Sequence, residues 1–379
     1  MKLGELGDSC AVLDAFDRLA ELTGRRYGLV DYAGAPDAER VIVLMGSGAG
    51  AVSEAVERLV ADGERVGVVT VRLFRPFPVE ALLDAIPDSV RSIAVLDRTK
   101  EPGAVGEPLF QDVVTALAES DRDPVKVIGG RYGLGSKEFT PAMAKAVFDE
   151  LDADAPKRRF TVGIADDVSN LSLDVDDSFL TEGDVRSAVF YALGSDGTVG
   201  ANKATVKIIG SQPGLHAQGY FVYDSKKSGS MTVSHLRFGE APITSTYLVQ
   251  EADLVACHQF GLLDRFDVLE NARTGGTFLL NAPFPADEVW EHLPEIIQRE
   301  IIERELSVFV IDAARVASEV GRGGGIYTGG QPGCFAVSGV MPGVVAGAAW
   351  SEWFSGTFGR RGRLCVEGWD AAGGRALGV

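Results

Sequence analysis

Apolar positions change their period several times along this chain. From residue 1 to about 26 they recur at three- and four-residue spacing through Leu13, Phe16, Leu19, Ala20 and Leu22, which predicts a helix. From about residue 40 short apolar runs alternate with helical patterns. The run 41–45 ends in Gly46-Ser47-Gly48 and precedes a helix carrying Ala55, Val56 and Leu59, broken at Asp62-Gly63. Further strands are predicted at 66–74, 93–96 and 125–128, the last closed by Gly129-Gly130. Helices are predicted at 82–86, 109–117 and 141–151, the last opened by Pro141. Strands alternating with helices predict a parallel sheet covered on both faces. This is a first α/β domain over 35–152, preceded by a helical segment over 1–34.

Residues 153–165 turn acidic, then basic, and include Pro156, which predicts a linker. The carboxylate-rich stretch 166–177 reads as solvated loop. A second series of apolar runs sits at 187–193, 219–223, 232–236, 254–257, 277–280 and 308–311, with helical patterns at 204–209 and 293–304. A second α/β domain is therefore expected over 166–379. The predicted fold class is α/β, with two Rossmann-like three-layer domains and mostly parallel sheets. After about residue 321 the chain becomes rich in glycine and tryptophan and loses its periodicity.

Composition narrows the possible roles. The 379 residues carry a formal charge of −18, which argues against nucleic acid or an acidic membrane as partner. No apolar run reaches the roughly 18–20 residues of a membrane span, and no basic-then-apolar leader is visible, so a cytoplasmic location is expected. The four cysteines, Cys10, Cys257, Cys334 and Cys365, are far apart and give no cluster or zinc spacing.

The strongest local signal is the stretch from Gly194 to Lys203, where an apolar run meets a helix through Gly194-Ser195-Asp196-Gly197-Thr198. Free N–H groups and the helix dipole favour an anion there. The glycines admit close approach, and Thr198 and Lys203 add a hydroxyl and a charge. The spacing matches neither a Walker loop nor a dinucleotide fingerprint, so a phosphate site and a ligand-free tight turn both fit. Asp224-Ser225-Lys226-Lys227-Ser228-Gly229 offers two lysines, two hydroxyls and a glycine to a phosphate-rich ligand, or is a solvated basic turn. Gly46-Ser47-Gly48-Ala49-Gly50 reads as a packing or interdomain turn, lacking both the third glycine and the ribose carboxylate of a nucleotide site. His216, His235, His258 and His292 are scattered without metal-ligand spacing. Cys257-His258 suggests a thiol–imidazole pair, but neighbours on a strand point to opposite faces.

Several strings resemble the pyruvate:ferredoxin (flavodoxin) oxidoreductase family: 30–41, 71–77, 94–103, 129–139, 193–203, 217–229 and 233–239. The resemblance runs from about residue 22 to 321. It implies that the first domain is similar to a transketolase C-terminal-like module and the second to a coenzyme A-binding module. It also implies CoA-dependent oxidative decarboxylation of pyruvate to acetyl-CoA and CO2, with electrons passing to ferredoxin or flavodoxin. The family's thiamine diphosphate, Mg2+ and iron–sulfur (4Fe–4S) clusters would reside in domains absent from this stretch. Those domains would be its partners in a homodimer, and the chain alone would be inactive. Carried over residue by residue, the CoA contacts are Gly194, Ser195, Asp196, Gly197, Thr198 and Lys226, with Lys203, Lys227 and Ser228 as lesser candidates. Two family asparagines are replaced near Tyr327 and Trp369, and residues 321–379 diverge as though altered by frame slips or decay. Other readings are a non-catalytic CoA- or acyl-binding scaffold and a nicotinamide-dependent dehydrogenase.

Overall fold

The computed structural model describes residues 3–164, 168–181, 185–194, 196–223, 230–313 and 377–378. The chain divides into two compact units, residues 1–182 with 244–247, and 183–243 with 248–379.

The first unit opens with α1 (Leu3–Thr23), followed by β1 (Val30–Gly34), β2 (Arg40–Met45), α2 (Gly48–Ala61), β3 (Val66–Val71), α3 (Val79–Ala85), β4 (Ser92–Asp97), α4 (Pro108–Ala118), β5 (Lys126–Arg131), α5 (Pro141–Asp152) and β6 (Arg159–Thr161). They form one six-stranded sheet in the order β1-β3-β2-β4-β5-β6, parallel except where β1 meets β3. Alternation along β2 splits the core between the two faces. Ile42 and Leu44 pack with α2 and α5, whereas Val41 and Val43 pack with α3 and α4. Each such buried aliphatic side chain contributes about 1.5–3 kcal/mol. Pro141 and the Thr140 hydroxyl, which accepts from the Met143 N–H at 3.3 Å, start α5.

Three boundaries differ from the sequence expectation. Residues 30–34 are a sheet strand rather than part of a helical segment, because the β1 backbone pairs with β3 through Val30↔Val71 to Gly34↔Gly67. The expected linker contains β6, which pairs with β5 and buries Phe160. The expected loop at 166–177 includes buried Leu173 and a bridge from Ser172 to Thr161.

The second unit contains β7 (Val185–Leu193), α6 (Thr198–Gly210), β8 (His216–Tyr223), β9 (Met231–Gly239), β10 (Ala252–Cys257), β11 (Ala272–Asn281), α7 (Val289–His292), α8 (Glu295–Glu303), β12 (Ser307–Ile311) and β13 (Leu377–Gly378). The sheet order is β13-β12-β11-β10-β7-β9-β8. Strands β7, β10, β11 and β12 are parallel, and β9 runs antiparallel to both β7 and β8. One face packs Phe190, Leu236, Ala256 and Leu279 against Ile208 and Ile209 of α6. The other packs Val189, Val255, Phe278 and Val310 against Ile297 and Ile301 of α8.

Candidate functional site

The chain leaves β7 for α6 on one side of the sheet and leaves β10 for β11 on the other. Between these parallel neighbours lies a topological switch point, and in open α/β sheets ligands bind beyond the carboxyl ends of the strands there. The Gly194–Thr198 turn occupies this place. Gly197 stands at φ +94°, ψ −10°, a left-handed conformation that glycine adopts without steric cost. This allows α6 to begin at Thr198, earlier than the apolar pattern alone predicts.

Asp196 organises the turn. Its carboxylate accepts the Leu193 N–H at 2.9 Å and the Thr198 N–H at 2.9 Å, so it serves the loop itself. The N–H groups of Gly197, Val199 and Gly200 have no acceptor among the described residues, and a Cβ at Gly200 would meet nothing within 4 Å. Three N–H groups in a helix's first turn can bind an anion. Lys203 lies on the exposed side of α6, its ammonium 5.3 Å from the Phe221 ring centroid. Ser195, Lys226, Lys227, Ser228, Tyr327 and Trp369 lie outside the described residues.

The chain re-emerges from β10 at Cys257-His258. Burial pushes the Cys257 thiol up to about 12, and its S–H points to the Gln259 carbonyl at 3.2 Å. Burial pulls His258 down to about 4, with the Asp196 charge opposing the shift. Neutral thiol and neutral imidazole on opposite faces make no thiolate–imidazolium pair, as the strand geometry predicts. His235 is a core histidine that accepts the Val249 N–H at 3.3 Å, and His292 stacks on Phe284 at 3.7 Å.

In the first unit, Gly46–Gly50 is a packing turn. A Cβ at Gly48 would meet the Tyr132 hydroxyl at 2.7 Å and its ring at 2.8 Å, and one at Gly50 would collide with the Thr244 carbonyl. The segment 244–247 is held on α2 by Glu54, a contact invisible to sequence reasoning. One carboxylate oxygen of Glu54 accepts from Ser245 at 2.7 Å and Thr244 at 3.0 Å, the other from Tyr247 at 2.5 Å. Among the described residues no group of three or more His, Cys, Asp or Glu could hold a metal ion. No described helix is long and apolar enough to cross a membrane.

Two family models match successive parts of this chain. The family model "pyruvate:ferredoxin oxidoreductase core domain II" matches residues 38–143. The model "pyruvate ferredoxin/flavodoxin oxidoreductase" matches 187–373 and so continues beyond residue 321, the expected limit of the resemblance. The chain is 57% identical to a pyruvate-flavodoxin oxidoreductase of Rhodospirillum rubrum over 95% of its own length, and 50% identical to the pyruvate:ferredoxin oxidoreductase of Moorella thermoacetica over 97%. It spans 31% of the length of each. A solved structure of a pyruvate oxidoreductase subunit from Thermotoga maritima overlaps 51% of this chain and 96% of its own, with 18% identity and a TM-score of 0.40. The chain thus carries two successive domains of the pyruvate:ferredoxin (flavodoxin) oxidoreductase family, to which it belongs.

Proposed function

We propose that this chain is the coenzyme A-binding and packing portion of an enzyme that oxidatively decarboxylates pyruvate to its acetyl thioester. On this reading electrons pass to ferredoxin or flavodoxin. Thiamine diphosphate, its magnesium ion and the iron–sulfur clusters belong to partner domains or subunits, which form a homodimeric enzyme with this portion in the cytoplasm. The first unit acts as the transketolase C-terminal-like packing module and the second as the CoA module. The observation that carries the reading is the left-handed Gly197 turn at the switch point, with three N–H groups lacking an acceptor among the described residues. Gly194, Gly197 and Thr198 form the cradle, Asp196 shapes it, and Ser195 and Lys226 add a hydroxyl and a charge. Lys203, Lys227 and Ser228 contribute to the basic surroundings.

Calorimetric titration of the full chain with CoA tests the reading. The expected result is saturable binding that weakens by about 1–3 kcal/mol in Lys226→Ala, through loss of a charge-assisted hydrogen bond. A cooperatively folded chain that binds no CoA overturns it.

A further inference from the structure

Six buried side-chain polar atoms lack a hydrogen-bond partner among the described residues: Thr198 Oγ1, Asn202 Nδ2, Thr232 Oγ1, His258 Nδ1 and Nε2, and Glu300 Oε2. Orphaned groups of this kind cost free energy and are rare in folded proteins. All but the Glu300 atom fall in one place.

Thr198 and Asn202 stand one helical turn apart on the buried side of α6. Thr232, the second residue of β9, pairs with Ala192 and shares its face with Ser234 and Leu236, the face that α6 covers. His258 follows Cys257 and lies on the opposite face from it. The His258 ring is 6.0 Å from that of Phe190, another side chain on the α6 face, and the His258 backbone N–H donates to the Tyr191 carbonyl at 2.9 Å. Four buried polar side chains, from α6, from β9 and from the residue that follows β10, therefore lie on the α6 face of the sheet around the end of β7. Thr198 is 0%, Asn202 4%, Thr232 3% and His258 6% exposed.

Each of these groups can donate: two hydroxyls, an amide NH2 and, since burial keeps His258 neutral, one imidazole N–H. Their common complement is a group that only accepts. We propose that Thr198, Asn202, Thr232 and His258 are a polar floor preorganised for phosphate oxygens of the ligand seated on the Gly197 turn. Asn202, Thr232 and His258 are positioning residues beyond the glycine loop and the basic segment, and the Thr198 hydroxyl joins them to the loop. The inference rests on the CoA reading of the turn and names the groups that hold the ligand's phosphates from below. A floor left unpaired in the free chain is destabilising there and becomes satisfied only when ligand arrives. Stability and affinity should thus respond in opposite directions to its removal.

The test uses the near-isosteric variants Thr198→Val and Asn202→Leu in the full chain, each measured for thermal midpoint without ligand and for affinity toward CoA and inorganic diphosphate. The expected outcome is an unchanged or higher midpoint with at least a tenfold loss of affinity for both ligands. A lower midpoint with unchanged affinity identifies these groups as structural only and overturns the proposal, as does a higher midpoint with unchanged affinity. In 15N-histidine-labelled chain, the His258 ring nitrogens should shift on CoA addition, and a static signal at saturation would also overturn it. If the unaltered chain binds and Lys226→Ala weakens binding while the floor variants do not, the floor alone fails. If the unaltered chain binds neither ligand, the CoA reading fails with it.

Discussion

Replacing Gly197 by alanine separates the turn's conformational role from its binding role. At φ +94° a Cβ approaches the following carbonyl oxygen, which costs about 1–2 kcal/mol. For a unit of this size each kcal/mol shifts the thermal midpoint by roughly 2–4 °C, so Gly197→Ala should melt about 2–8 °C lower. Relaxation of the strain would rotate the Gly197 and Val199 N–H groups away from a bound anion. Loss of one or two hydrogen bonds to a charged partner corresponds to roughly 10–100-fold in affinity. Gly200→Ala is the control. Gly200 lies inside α6 with open space where its Cβ would fall, so alanine should stabilise the unit by roughly 0.5–1 kcal/mol. Calorimetric unfolding and CoA titration on both variants supply the readings. An unshifted midpoint in Gly197→Ala would refute the left-handed turn, and unchanged CoA affinity would refute its role as the anion cradle.

Other consequences are testable in the same chain. His235 titrates at about 4 when folded against 6.5 unfolded, so the unfolded state binds more protons between those values. Stability should fall as pH drops from 6.5 to 4, by up to about 1.4 kcal/mol per pH unit, and His235→Asn should flatten part of that slope in urea titrations. Cys257, buried and held neutral, should resist iodoacetamide until the chain unfolds while exposed Cys10 reacts, as read by peptide mass mapping. Early labelling of Cys257 would contradict its burial. Tyr247→Phe removes one hydroxyl from Glu54 and should cost about 1–3 kcal/mol, with faster hydrogen exchange across 244–247. Unchanged exchange there would show that Glu54 does not hold the segment.

Much of the fold is legible because buried parallel strands announce themselves as unbroken apolar runs. Examples are 41–45 in β2 and 254–257 in β10. Short or backbone-driven elements are not. β6 is three residues long and has no period to read, and the pairing of β1 depends on partners far along the chain. Gly129-Gly130 has the composition of a strand end yet lies inside β5, because Phe110 and Phe160 occupy the space where their Cβ atoms would stand. At the site, the glycine turn was readable from residue types and order. The capping by Asp196 was not, since a carboxylate beside glycines looks the same whether it faces the loop or a ligand. Nor were the unpaired Asn202 and His258, because hydrogen-bond vacancies arise only from three-dimensional packing.

The central claim is that coenzyme A sits on the turn between β7 and α6. Hydrogen–deuterium exchange of the full chain, with and without saturating CoA, tests it most directly. The account predicts slowed exchange in peptides covering residues 194–204, with little change in β2 through α4. Protection that leaves 194–204 untouched at saturation would contradict it.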